Sequence, residues 1–407
     1  MMKNISILLC LLSGVLTAGG YKIPEASLNG VALSAANVAH SNGADAAYYN
    51  PANMVFMDDG HTIETDLIYI GLDAPKFRGT VSATGTTPLD INGKQEDFFI
   101  PALHYVSPVV DGARFGLSIV VPGGLSKRWS EAPASFSAEE FTLEVIEVNP
   151  TIALPVGEKV AIALGIRMLY TDGVVKSRSP ISSRDMTGDS IDFGYNIALS
   201  YKPTPEWDIG ITYRSNVDLT VDGDADLTLN HPLYGQRAPY SGATTVEVPL
   251  PALLNVAVAY TFPSKTTVEF VYEVNYWSAY KNLDFDYQDT IDPVVNAAFG
   301  AVIEKNWKDT SVYRLGITQE LDKLTLMGGL VIDETPSPES TIGFELPDSD
   351  SVSVSFGVRY QYSDKINIGL STLYSMRDDR TIANNDINGE FSHSDVLFVS
   401  AGLEYKF

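Results

Sequence analysis

Basic residues are scarce in this 407-residue chain: 27 lysines and arginines stand against 51 aspartates and glutamates, a formal charge of -24. So acidic a chain repels phosphate backbones, whose binding needs cations to displace counterions, and nucleic acid is excluded as a partner. Cysteine is nearly absent too, with one at Cys10. The five histidines, His40, His61, His104, His231 and His393, are scattered with no pair at metal-ligand spacing, so no metal and no cofactor is expected. A G-x-S-x-G elbow, a Walker loop and a dinucleotide fingerprint are also missing, and no catalytic residue is nominated. The chain is not read as an enzyme. Long apolar runs are missing as well, which excludes a polytopic helical membrane protein, since each helical span needs about 20 mostly apolar residues. What is present is 45% hydrophobic and 10% aromatic residues, too rich for a disordered chain.

The one apolar run lies at the start. Lys3 precedes Ile5 to Leu16, and small residues follow at Thr17, Ala18, Gly19 and Gly20. This is the pattern of a secretory leader over residues 1–19, with cleavage after Ala18 or Gly19. Cys10 falls inside the leader and lacks the preceding small residue of a lipoprotein site, so the mature chain carries no thiol.

Downstream, hydrophobicity alternates with period two. Val352, Val354, Phe356, Val358, Tyr360 and Tyr362 share one face, against Ser351, Ser353, Ser355, Gly357, Arg359 and Gln361 on the other. From Trp207 to Asp222 the odd positions Trp207, Ile209, Ile211, Tyr213, Val217, Leu219 and Val221 predict one apolar, lipid-facing side about sixteen residues long. Val160 to Tyr170, Val246 to Phe262, Val268 to Tyr276 and Lys365 to Tyr374 alternate in the same way. Such strands are too long for a soluble sandwich and fit a transmembrane barrel.

Tight polar turns at Val110 to Gly112, Pro155 to Glu158, Lys202 to Pro205, Pro263 to Lys265, Leu321 to Lys323 and Ser363 to Lys365 alternate with longer connections. The longer ones lie around 74–95, 122–139, 177–188, 230–243, 284–307, 334–349 and 378–392. Thirteen connections imply about 14 strands with both termini on the periplasmic, short-turn side. Helical segments and internal repeats are not evident. The last strand carries Leu397, Val399, Ala401, Leu403 and Tyr405 on one face and ends at Phe407, which resembles the signal read by the barrel-assembly machinery. The expectation is therefore an all-β, antiparallel transmembrane barrel in the outer membrane of a diderm bacterium, in contact with lipid and lipopolysaccharide and acting as a monomer.

Residues 20–58 do not alternate; they are small, Ala-rich and dotted with apolar side chains such as Ile23, Leu28, Val31, Tyr48 and Met54. A lumen of 14 strands has room for them as an N-terminal hatch, or plug, with the barrel spanning 59–407. Of three acidic stretches, Asp90 to Gly93 and Asp386 to Glu390 lack the full calcium pattern and fit Asx turns. Asp222 to Asp226 fits solvated charge or ion-bridged lipopolysaccharide.

The run Gly20-Tyr21-Lys22-Ile23-Pro24-Glu25 and the triplet Asn50-Pro51-Ala52 resemble the mature N-terminus and the NPA motif of outer-membrane transporters for long-chain fatty acids and aromatic hydrocarbons, the FadL type. Asn275-Tyr276-Trp277-Ser278, Trp307-Lys308-Asp309-Thr310, Asp333-Glu334-Thr335-Pro336-Ser337-Pro338 and Leu346-Pro347-Asp348-Ser349-Asp350 resemble four further motifs of that family, in order. The resemblance implies passive uptake of hydrophobic small molecules into an apolar lumen site, a hatch rearrangement and release sideways through a kink in the third strand. That strand is read as Ala113 to Val121, followed by Pro122, Gly123 and Gly124, where either pairing fails or the strand simply ends and enters a loop. The resemblance also nominates Lys305, just before the W-K-D segment, to meet a carboxylate headgroup, and Asp333 as the acidic position of the D-x-x-P-x-P loop, where its role could be to fix the turn. The family's other headgroup arginine falls where this chain has Tyr170-Thr171-Asp172, which puts fatty acid in doubt, whereas a neutral hydrocarbon would need no cation. A general diffusion porin is the alternative reading, distinguished by the segment ahead of the first strand.

Overall fold

The computed structural model describes residues 19–407; the expected leader, with Cys10, lies outside the described residues apart from Gly19. Fourteen antiparallel strand positions form one closed wall: β1 (Thr62–Leu72), β2 (Glu96–Val106), β3 (Arg114–Lys127), β4 (Glu140–Pro155), β5 (Val160–Arg178), β6 (Ser182–Thr204), β7 (Trp207–Arg214 continuing as Val217–His231), β8 (Tyr240–Leu250 continuing as Leu253–Thr261), β9 (Thr266–Asn275), β10 (Thr310–Glu320), β11 (Leu324–Asp333), β12 (Ser351–Gln361), β13 (Ile366–Arg377) and β14 (Val396–Lys406). β1 pairs over its full length with both β2 and β14, which closes the ring on that side. The backbone nitrogen of Phe407 donates to His61 at 3.0 Å, so the chain end and the start of the wall meet at the rim of short turns.

The wall faces lipid with the residues alternation selects. Leu164, Ile166 and Phe193 are exposed at 52%, 59% and 65%, while their neighbours Ala163, Arg167 and Asn196 point into the lumen. Two stretches depart from the expected pattern. In β7, Ile211 and Tyr213 face outward, but Ser215 and Asn216 leave the ladder, and beyond them Val217, Leu219 and Val221 are buried on the lumen side while Asp218 and Asp222 face out. The predicted single lipid-facing side from Trp207 to Asp222 is thus two half-faces of opposite sense, because two unpaired residues shift the period by one. Pro251 and Ala252 do the same in β8: Val246, Val248 and Leu250 point inward, Val256 and Val258 outward. The lumen is consequently apolar in its outer half and polar in its inner half.

Other expectations shift for similar reasons. Connection 177–188 is a tight turn between β5 and β6, which stay paired from Arg178↔Ser183 onward and project beyond the lipid-facing band. Connections 74–95 and 378–392 contribute four short strands, Lys76–Val81, Leu89–Asn92, Arg380–Ala383 and Ile387–Ser392, to one outer sheet. Its core is Phe77, Trp129, Phe344 and Phe391. The acidic stretches at Asp90 and Asp386 therefore belong to sheet hairpins, and Asp90 pairs with Lys76 at 2.9 Å.

Residues 19–61 precede β1, and those up to Phe56 pack inside the barrel. Helices not anticipated from the sequence occur here: α1 (Leu28–Ala32), capped by the Ser27 hydroxyl accepting from Gly30, and α2 (Ala46–Tyr49), followed by a 3-10 turn at Pro51–Phe56. The Ala-rich composition has a steric cause. A side chain at wall glycine Gly357 would strike Ala32, and one at Gly116 would lie 2.9 Å from the Ala47 methyl, so small residues on both sides let the segment lie against the wall. Buried wall charges hydrogen-bond to the backbone of the segment. Glu269 accepts from the backbone nitrogens of Val38 (2.6 Å) and Ala39 (2.7 Å), and Glu147 pairs with Arg167 (2.9 Å) and Arg214, whose guanidinium also reaches the carbonyl of Tyr48.

Candidate functional site

One seam of the wall is incomplete. β3 pairs with β4 from Arg114 to Lys127, but with β2 over four rungs alone, Leu103–Val106 against Gly116–Ile119. Toward the outer end the two strands part. Both edges of the opening carry a proline, Pro101 in β2 and Pro122 in β3, and neither can donate to a ladder. β3 also carries an extra residue between Val120 and Gly123, which turns it inward. The third strand does not end at Val121, as its sequence pattern predicts, but runs through Pro122, Gly123 and Gly124 to Lys127.

The edge that β2 gives up is taken by the N-terminal segment. Lys22 lies opposite Gly123, the nitrogen of Ile23 donates to the carbonyl of Pro122 (2.9 Å), and that of Gly124 donates to the carbonyl of Tyr21 (2.9 Å). A methyl on Gly123 would sit 3.2 Å from both Leu250 and the Tyr21 carbonyl, so glycine is what permits this approach.

Behind the opening lies a cavity of about 340 Å³. One side of its wall is apolar, with Ile70 and Leu72 of β1, Phe98 and Ile100 of β2, Leu143 and Val145 of β4, and Val396 and Phe398 of β14, while Ser351 and Ser353 of β12 and Ser375 and Arg377 of β13 give it a polar side. Its floor is the run Gly19 to Glu25. Phe99, Pro101, Val121 and Ile146 also border it, and Phe99 is 67% exposed on the outer face, so the cavity reaches the lipid-facing side of the wall.

Polar groups meet at the floor. Glu273 holds both Lys22 and Arg314, the latter at 3.3 Å, and Lys22 also donates to Asn275 (2.9 Å). Glu25 and Asp333 line the same cavity. Burial pushes the Glu25 carboxyl up to about 7, against the pull of Arg314 and Lys22. In the neighbouring loop Asp348 accepts from the nitrogen of Gly20 (3.3 Å) and pairs with Arg377 (3.0 Å); burial raises its carboxyl, and raises that of Asp350 to about 6.

The four C-terminal motifs converge around the start of this segment. Tyr21 packs edge-on against Trp277 at 4.8 Å between ring centres and tilted against Trp307 at 5.8 Å, and its hydroxyl donates to Pro249 (2.5 Å). Asp309 accepts from the Ser278 nitrogen (2.8 Å) and Asp350 from that of Thr335 (3.3 Å), which ties the motif loops to one another. Gly20, with φ +69°, leaves room for both tryptophans.

The nominated residues thus fall in three places. Gly20, Tyr21, Lys22, Ile23, Gly124 and Asp333 border the cavity, Pro122 accepts a hydrogen bond from its floor, and Gly123 lies opposite Lys22. Lys305 is buried, paired with Glu345, and lines a separate, smaller cavity with Tyr21 and Trp307. Asn50, Pro51 and Ala52 lie away from the main cavity: the Asn50 side chain accepts from Ala52 (3.2 Å) and donates to Val38 (2.8 Å), so the triplet caps its own 3-10 turn. Sequence reasoning missed Pro101, Glu273 and Arg314. The two charged residues had a signal, polar residues on the lumen face of alternating strands.

Known proteins bear on this arrangement. The family described as outer membrane protein transport protein (OMPP1/FadL/TodX) matches residues 9–407. A long-chain fatty acid transport protein of Escherichia coli O6:H1 is 22% identical over 414 residues, covering 91% of this chain and 90% of its own. Outer membrane protein P1 of Haemophilus influenzae is 22% identical over 468 residues, covering 98% and 97%. Among solved structures, a Pseudomonas aeruginosa FadL homologue superposes with a TM-score of 0.82 at 19% identity, covering 95% of this chain and 100% of that one. The Pseudomonas putida toluene transporter TodX gives 0.73 at 17%, covering 97% and 100%. At these identities the structures speak to the fold.

Proposed function

The chain belongs to the outer membrane protein transport protein family (OMPP1/FadL/TodX), and on that premise we propose that it is a passive channel that takes hydrophobic small molecules, long-chain fatty acids or hydrocarbons, from outside and releases them sideways into the membrane. The observation that carries this reading is the four-rung seam between β2 and β3 over an apolar cavity. A ligand captured in the outer lumen settles against Leu143, Val145 and Phe398. Displacement of Tyr21 to Pro24 from β3 then widens the seam, and the ligand passes Phe99 and Ile146 into lipid. Keeping each CH2 group out of water on this route saves about 0.8 kcal/mol, which a water-filled pore would forfeit.

Residues 20–58 act in this reading as the hatch. Its inner part is fixed by Glu269, Glu147 and the Asn50 cap, while the run from Gly20 to Pro24 is the part that moves. Leader cleavage after Gly19 would turn the Gly20 nitrogen into an ammonium facing Asp348, a partner suited to that buried carboxyl. The chain performs no bond-making step in this scheme.

Deletion of Gly20 to Pro24 tests the reading. The deletion mutant should assemble as a heat-modifiable barrel and show altered uptake of a hydrophobic probe in intact cells. Unchanged uptake by a properly assembled mutant removes the hatch from the mechanism, and free conduction of ions and sugars by the wild type in planar bilayers replaces it with a porin.

A further inference from the structure

The cavity's charges are arranged one-sidedly. Three cations line it, Lys22, Arg314 and Arg377, and each is already held by a carboxylate: the first two by Glu273, the third by Asp348. Three acids line it as well, Glu25, Asp333 and Glu144, and among the described residues none of them has a basic partner within ion-pair distance. Glu25 is 6% exposed and lines the cavity, and its carboxylate is bonded to its own backbone nitrogen and, among the described residues, to no cation. Glu144 stands at the seam and begins a row of acids on the outer face, directly opposite Asp172, which is opposite Asp189, which is opposite Asp222 across four neighbouring strands. An anionic ligand would therefore lie beside an unpaired acid at the floor and pass others at the exit, with no cation released to meet it.

We infer that the cavity selects uncharged apolar molecules over carboxylates, and that Glu25 is the specificity residue: it rejects a ligand carboxylate and accepts a hydrogen bond from a ligand hydroxyl. This rests on the transport reading above and narrows its ligand class to hydrocarbons and to alcohols or phenols. Burial, which holds the Glu25 carboxyl near 7, agrees with a group that meets neutral ligands without a salt bridge. Lys22, Arg314 and Asp333 are the charged neighbours that act on it, and Glu273 takes up the first two. Lys127, which has no ion-pair partner among the described residues, sits near Arg377, Glu96 and Asp348 at the outer end of β3 and does not line the cavity.

The test uses the full chain in detergent, a fluorescent apolar dye as reporter, and decanol, decane and decanoate as competitors at about pH 8, where Glu25 is ionised. The wild type should bind decanol at least as tightly as decane, and decanoate about tenfold more weakly than decanol. Glu25→Gln keeps a hydrogen-bonding group without the charge and should bring decanoate to within about threefold of decanol. Glu25→Leu should erase the advantage of decanol over decane. Tightest binding of decanoate by the wild type, unchanged in Glu25→Gln, overturns the inference. So does decanoate binding that is lost in Lys127→Ala, which would put the polar end at the outer mouth. Failure of all three competitors to displace the dye overturns the transport reading itself, whereas displacement with decanoate tightest sinks the selectivity alone.

Discussion

The two halves of the lumen share the same strands and solve opposite problems. In the inner half the wall presents Glu64, Glu147, Arg167, Arg214, Glu269, Glu273 and Arg314, and the segment packed there answers with backbone donors and side chains. In the outer half the wall presents Leu143, Leu219, Leu227, Val246 and Phe398, and the packed segment contributes little beyond Tyr21. The inner half is thus specified by partners, since each buried charge needs its counterpart in place. The outer half is specified by size and greasiness and tolerates an exchangeable guest. On the proposed reading, in which a plug stays and a ligand leaves, these two kinds of interior suit the two tasks.

The comparison breaks most easily at Glu147. Glu147→Leu leaves Arg167 and Arg214 buried without their shared carboxylate and should cost about 3–5 kcal/mol, read as a lowered unfolding midpoint in detergent. Leu227→Ala, its counterpart in the outer half, should cost about 2–3 kcal/mol. An equal or larger loss there would mean that the outer half also depends on partners. Replacing Gly123 and Gly124 together by valine forces side chains toward Leu250 and the Tyr21 carbonyl; it should cut hydrocarbon uptake about tenfold while ion conductance stays at the wild-type level. Asn50→Ala, which removes one cap in the inner half, should cost about 1 kcal/mol and leave ligand binding as it was.

The smallest effect concerns pH. The Glu25 carboxyl sits at about 7 when the segment is seated, above its ordinary value, so the seated state takes up a proton as pH falls through 7 that the unfolded chain binds only at lower pH. Seating is therefore favoured below about pH 7 and weakened above it. Decanoate binding, measured by dye displacement, should improve about threefold between pH 8 and pH 6, and Glu25→Gln should abolish that dependence.

Most of the wall was legible because lipid contact imposes a period of two, and β12 and β14 follow it residue by residue. The breaks at Ser215-Asn216 and Pro251-Ala252 were not legible. An apolar residue looks the same in sequence whether it faces lipid or lumen, and a two-residue interruption shows up only as strand pairing. The unanticipated turn between β5 and β6 has a related cause, since polar strands above the membrane read as loop. For the site, Gly20 to Glu25 stood out by resemblance to a family. Pro101, Glu273 and Arg314 did not, because what matters about them is which residues face them across the lumen, and that is set by closure of the ring.

The inversions in β7 and β8 have one more consequence. Below them the barrel is oil outside and water-like inside; above them Asp218, Asp222 and Glu247 face out and Val217, Val246 and Val248 face in, so it is water outside and oil inside. The level at which the two phases exchange sides is marked by Leu250, and Leu250 is what a methyl on Gly123 would touch. The seam between β2 and β3 therefore opens at the height where inner oil ends and outer oil begins. On the proposed reading, a solute that partitions into oil would cross the wall there without changing phase, and one that prefers water would find no continuous path at that height.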